Sequence, residues 1–257
     1  MKNEHKNYIY KILLFKYLVL FFQISLLIFV ILLWQFLVDK NYVNSFITSS
    51  PIMIVKTIIE LYENNNLFIH IIVTIKETIV AFIITSTLSL IIGIILYCSK
   101  FLSKVIEPFL TILNSLPKVA LGPIIIIWFG ANTKSIIVMS VLISLIVSIL
   151  NIKNAFESTD KLKIKLMNTF AANKFQIIKY LVIPSNRQNI INTLKINISM
   201  CLIGVVSGEF LTSKAGIGYL ILYGSQIFNL NLVISGIFIL LIVSYIMYLI
   251  ISHIKKY

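Results

Sequence analysis

Two ionisable residues stand in apolar surroundings where a charge needs a physical reason. Lys118 follows Pro117 within Leu113-Asn-Ser-Leu-Pro-Lys-Val-Ala-Leu-Gly-Pro-Ile-Ile-Ile-Ile-Trp-Phe-Gly130, and Glu209 lies in Ser207-Gly-Glu-Phe-Leu-Thr-Ser-Lys-Ala-Gly-Ile-Gly-Tyr-Leu-Ile221. Placing either charge near the centre of a bilayer costs about 2.5–3.5 kcal/mol on insertion scales, so such residues face protein or water. Pro117 frees backbone groups that are tolerated only against protein or a water-filled cavity. A cation beside that break could attract an anionic solute; alternatively, Lys118 snorkels or pairs structurally. Glu209 could gate a path or pair with Lys214. Lys76, Glu77 and Lys195 are expected at the membrane interfaces, solvated.

Catalytic and metal chemistry find little here. His5, His70 and His253 are scattered, Cys98 and Cys201 are far apart, and neither set has ligand spacing. No metal site or disulfide is expected. An intramembrane enzyme would need clustered Ser/His, paired Asp or metal ligands at helix depth. The sequence has no G-x-x-x-x-G-K-[ST] phosphate loop, and Gly216-Ile-Gly218 lacks the third glycine of a dinucleotide fingerprint. Any ATP hydrolysis belongs to another polypeptide.

The elements that must position these residues are membrane helices. Hydrophobic residues make up 59% of the 257 and charged ones 12%, against roughly a quarter charged in soluble domains. A helical span needs about 20 apolar residues. The sequence predicts an all-α polytopic bundle with spans near 17–38, 74–97, 105–130 (interrupted at Pro117), 135–150, 190–211 and 232–251. The first run is longer than a signal peptide's apolar region and no small-residue cleavage site follows, so it is expected to be retained. Trp34 and Trp128 read as interface anchors. Gly204-Val-Val-Ser-Gly208 permits close helix approach, either at a homodimer seam or within one subunit.

The net charge of +13 would suggest nucleic acid in a soluble protein. Here the basic residues lie between and beyond the spans. With the N-terminus inside, the segments 1–16, 98–104, 151–189 and 252–257 hold fifteen Lys/Arg and the opposite segments four. The positive-inside rule then puts both termini in the cytoplasm.

The segment 151–188 is far longer than a helix connection requires. Leu162, Leu166 and Phe170 recur every four residues, marking one face of a helix. Asn173 with Gln176 three residues on reads as a capping box opening a second short helix, from Lys174 to about Leu181, before Pro184. Such a helix-turn-helix is either an interfacial amphipathic loop or a docking element.

Three segments carry a resemblance. Lys165-Leu-Met-Asn-Thr-Phe-Ala171, nine residues, then Leu181-Val-Ile-Pro184 resembles the cytoplasmic signature of ABC-importer permeases: Glu-Ala-Ala, three residues, Gly, nine residues, Ile-x-Leu-Pro. Lys165 stands at the Glu position and Ala171 at the Gly position. The 113–130 and 207–221 segments resemble signatures of the nitrate/sulfonate/taurine branch. The resemblance covers about residue 50 to the C-terminus.

It implies a type I permease fold in a bacterial inner membrane: one domain over 1–257, with 1–50 a tail and peripheral first span and 70–251 a five-span core that includes the 151–188 coupling loop. It implies a homodimer, separate ABC ATPase subunits holding ATP and Mg, an extracytoplasmic solute-binding protein and no cofactor in this chain. Phe170, Ala171, Ala172, Asn173, Lys174 and Phe175 fall at the ATPase-docking turn. Without the acidic group at position 165, hydrophobic insertion around Phe170 should dominate that contact. Ser115, Pro117, Lys118, Ser207 and Glu209 are the candidate pathway residues. An ion-coupled secondary transporter is the alternative, although it would show internal repeats and embedded relays.

Overall fold

The computed structural model describes residues 2–64 and 66–253, all regular elements among them being helical. Lys255 and Lys256, counted above among the basic flanks, lie outside the described residues, as do the side chains of Lys2, His5, Lys6 and Lys11. Helix α1 (Lys2–Asp39) leads through α2 (Ser45–Thr48) and α3 (Pro51–Glu63) into α4 (Asn66–Cys98). The chain continues through α5 (Lys100–Ser115), a 3₁₀ turn (Lys118–Leu121), α6 (Gly122–Phe129) and α7 (Thr133–Glu157). A connection of α8 (Lys161–Thr169), α9 (Lys174–Ile177), a π turn (Ile178–Val182) and α10 (Ile183–Ser185) leads to α11 (Arg187–Thr212), α12 (Ile217–Gln226) and α13 (Leu230–His253).

Five helices are long and apolar enough to cross a membrane: α1 from Leu13, α4, α7, α11 and α13. The segments 100–115 and 118–129 form a sixth candidate, bent by 90°. The break falls at Leu116-Pro117, as expected from the missing proline N–H. Three boundaries differ from the sequence expectation. Helix α4 begins at Asn66 rather than near 74, and α7 runs to Glu157 rather than ending near 150. The second short helix is α-helical only to Ile177 before its hydrogen bonding widens into the π turn.

The core is the meeting of α4, α7 and α11, whose contact faces are small and polar. Thr78, Ala81, Thr85 and Ser89 of α4, Ser140, Ser144 and Ser148 of α7, and Asn197, Cys201 and Gly204 of α11 are all buried. With no hydrophobic drive between helices in lipid, close packing and interhelical hydrogen bonds do the work. Thr85 and Ser144 share a hydrogen bond of 2.8 Å, Ser140 donates to the Cys201 carbonyl at 2.8 Å, and Ser148 donates to Asn197 Oδ1. A Cβ at Gly204 would stand 2.5 Å from the Ser140 Cα. The Gly204/Gly208 stripe therefore packs within the subunit, against α7. Helix α1 lies apart, touching α3 and stacking Trp34 on Phe238 of α13 with ring centroids 6.5 Å apart.

Lys153 corrects the charge reading of the 151–188 segment. It sits in the last turns of α7, nearly fully buried, with Nζ 2.8 Å from Glu107 of α5 and 3.4 Å from Glu157. It ties the broken span to α7 and is not a solvated loop cation. The i,i+4 spacing to Glu157 was the available signal.

Candidate functional site

Two constellations are built on this frame. The first surrounds Glu209. Its carboxylate is 0% exposed. Thr74 of α4 donates to Oε1 at 2.6 Å and the Gly218 N–H donates to Oε2 at 2.6 Å. The same Thr74 hydroxyl accepts the Ile217 N–H at 2.8 Å, and His70 Nδ1 accepts the Gly216 N–H at 3.0 Å. Three side chains from two other helices thus take the first free N–H groups of α12, and the carboxylate sits where the helix dipole favours negative charge. A Cβ on Gly216 would collide with the carboxylate, and one on Gly218 would lie 2.7 Å from Oε2; Gly216 also holds φ +124°. The Gly-x-Gly pair is thereby explained: it lets the backbone close around Glu209.

This geometry differs from the sequence expectation in two respects. Glu209 bonds to Thr74 and Gly218 rather than pairing with Lys214, and it faces the subunit interior. Glu77, expected at a solvated interface, is 4% exposed, and its Oε2 has no hydrogen-bond partner among the described residues. Thr74 and Glu77 lie one turn apart on the face of α4 that carries Thr78, Ala81 and Thr85. The small and hydroxylic residues at three- and four-residue spacing were the signal for that buried face.

The remaining pathway candidates bond only within three or four residues of themselves. Ser115 donates to the Ile112 carbonyl at 2.7 Å, Lys118 Nζ to Asn114 Oδ1 at 3.1 Å, and Ser207 to the Ile203 carbonyl at 2.8 Å. Pro117 caps the 3₁₀ turn at the 90° bend. Lys118 is half-buried there while Ser115 and Pro117 are exposed. No hydrogen bond among the described residues joins the 115–118 group to Ser207 or Glu209.

The second constellation is the turn between α8 and α9. Helix α8 closes as a Schellman motif: the Ala171 N–H bonds the Asn168 carbonyl at 3.0 Å and the Ala172 N–H bonds the Met167 carbonyl at 3.1 Å. Ala171 takes φ +56°, a left-handed conformation that costs an L-residue roughly 1–2 kcal/mol. This is the position where the signature noted above has glycine. Asn173 then opens α9 with both arms of the capping box at 2.8 Å. Leu162, Leu166, Phe170 and Phe175 all point outward, the two phenylalanines 75% and 71% exposed. The turn is a fixed apolar projection, with Lys165 and Lys174 exposed beside it.

Ala171→Gly should stabilise this turn by about 1 kcal/mol. Hydrogen exchange at the Ala171 and Ala172 amides should slow about five-fold; unchanged or faster exchange would show that the strain is absorbed elsewhere.

Residues 85–256 match the family model described as the binding-protein-dependent transport system inner membrane component. The chain belongs to that family. It is a membrane permease subunit of the ABC-importer type, and its fold follows the same plan as a solved structure. The permease chain of the MetNI methionine ABC transporter superposes with a TM-score of 0.64 at 16% identity, covering 72% of this chain and 92% of that one. A Bacillus subtilis permease named for aliphatic sulfonates is 27% identical over 214 residues, 83% of this chain and 78% of the relative. The formylaminopyrimidine transport permease of Halalkalibacterium halodurans is 26% identical over 174 residues, 68% of this chain and 69% of the relative. The family match begins inside α4 and leaves α1 outside.

Proposed function

We propose that this permease works as a homodimer forming the translocation pathway for a small polar or anionic solute, handed over by an extracytoplasmic binding protein. A separate ATPase, holding ATP and Mg, docks on the α8–α9 turn, and both termini lie on the ATPase side of the membrane. The observation that carries this reading is the rigid, uncovered projection of Phe170 and Phe175. Exposed apolar clusters on a fixed scaffold mark interaction sites, and the lysines of the 161–179 segment support a cytoplasmic position for that cluster. Phe170, Ala171, Ala172, Asn173, Lys174 and Phe175 form the contact. The names of the sulfonate and formylaminopyrimidine relatives and the position of Lys118 at the bend support this solute class. Family membership leaves an ion-coupled secondary mechanism without support.

The test is uptake into proteoliposomes holding the permease and its separately expressed ATPase, with binding protein outside. Accumulation should require all three proteins and ATP, and accumulation without the ATPase would end this reading. Lys118→Ala should lower uptake of an anionic solute at least about ten-fold by removing the field that concentrates it, while ATPase association is unchanged. Equal uptake by mutant and wild type would remove Lys118 from the pathway.

A further inference from the structure

A second feature stands away from both constellations. Helices α4 and α13 are separated along their outer sides by a groove of about 650 Å³, running past Leu67 to Ile83 on one wall and Ile239 to Ile251 on the other, with Ile198 of α11 at its floor. On α4 alone this is about 24 Å of helix. Every lining side chain is Ile, Leu, Val, Phe or Met. One turn before Ile198, Lys195 brings its Nζ to 5.6 Å from the centre of the Tyr248 ring on α13. Among the described residues the ion pairs are those of Lys153, so Lys195 has no carboxylate within salt-bridge distance.

We propose that this groove binds one acyl chain of an anionic phospholipid whose phosphate is held by Lys195. The competing occupant is a helix, α1 of this chain or of a second copy, since the apolar part of α1 has no buried residue in its most hydropathic window. Packing chemistry argues against it. Membrane helices approach one another through Gly, Ala, Ser and Thr, whereas the groove has none of these and residues 17–38 of α1 offer only Ser25. A flexible hydrocarbon chain needs no small residues to fill an irregular slot. Lysine is a point-charge partner for phosphate, and basic pockets between membrane helices hold anionic headgroups. Tyr248 fixes the ammonium by cation–π attraction without neutralising it.

Native mass spectrometry of the full-length permease, with dioleoylphosphatidylglycerol and dioleoylphosphatidylcholine as probes, tests this. Wild type should retain the glycerol lipid about five-fold better, the preference expected of one lysine near a headgroup. Lys195→Gln should abolish the preference, Lys195→Arg should keep it, and Ile246→Trp, which fills the groove, should reduce retention of both lipids. A preference that survives in Lys195→Gln, or full lipid retention by Ile246→Trp, would overturn the proposal. So would efficient disulfide formation in membranes between Leu26→Cys and Ile242→Cys, because α1 would then be the occupant.

Discussion

Glu209→Ala will destabilise the folded permease by about 2–6 kcal/mol, because it strips two buried donors of their acceptor at about 1–3 kcal/mol each. The donors are the Gly218 N–H and the Thr74 hydroxyl, both 2.6 Å from the carboxylate. Neither has water to turn to, since Thr74, Gly218 and Glu209 are all buried. Thermal unfolding of the purified protein in detergent should fall by more than about 5 °C. Glu209→Gln should cost less: its carbonyl can still accept from Gly218, and its amide can donate to Thr74 Oγ1, leaving only the threonine proton to be satisfied. Gly218→Ala should approach the alanine variant in severity, because its Cβ would press on the Val206 carbonyl at 2.9 Å as well as on Glu209. If Glu209→Ala unfolds at the wild-type temperature, the carboxylate is not what closes the α11–α12 loop. A fall in transport without a fall in stability would instead return Glu209 to the pathway.

That outcome separates two readings the sequence left open, and the reason it left them open is physical. Hydropathy reports whether a stretch can cross a bilayer, so the spans and the break at Pro117 were legible. Local hydrogen-bond chemistry is equally legible: Asn173 and Gln176 specify their capping box within four residues. What could not be read was which helix each face meets. Glu209 and Gly218 are nine residues apart, but the third partner, Thr74, comes from 135 residues away. Glu77 was misplaced because a charge near the start of an apolar run looks like an interface residue until the helix is known to begin at Asn66. Lys153 was misplaced because a charge count treats every lysine as solvated, whereas burial beside Glu107 and Glu157 makes this one a bolt between helices. Ala171 shows the converse: only the observed left-handed backbone explains why glycine belongs at that position of the signature.

The second large effect concerns Phe170. Phe170→Asp should weaken association with the ATPase subunit at least about thirty-fold, the loss of a central aromatic anchor worth 2 kcal/mol or more, and should leave insertion and folding intact. The side chain is 75% exposed and closes α8 through its backbone alone: its N–H bonds the Leu166 carbonyl at 3.4 Å, and the Schellman bonds run through Ala171 and Ala172. Nothing inside the permease is lost when the ring is removed, so any large effect must come from a partner. Leu162, Leu166 and Phe175 extend the same apolar surface, and Lys165 offers no carboxylate to a basic ATPase residue. Desolvation of the aromatic ring should therefore be the main source of affinity in the proposed contact, and binding should depend only weakly on salt. Pulldown of the ATPase by tagged permease in detergent, with unfolding temperature measured alongside, distinguishes the cases. Undiminished recovery with Phe170→Asp would remove the turn from the docking surface. Lost recovery at an unchanged unfolding temperature would place the contact there, and Ala171→Gly, which relaxes the turn without altering the projection, should retain association.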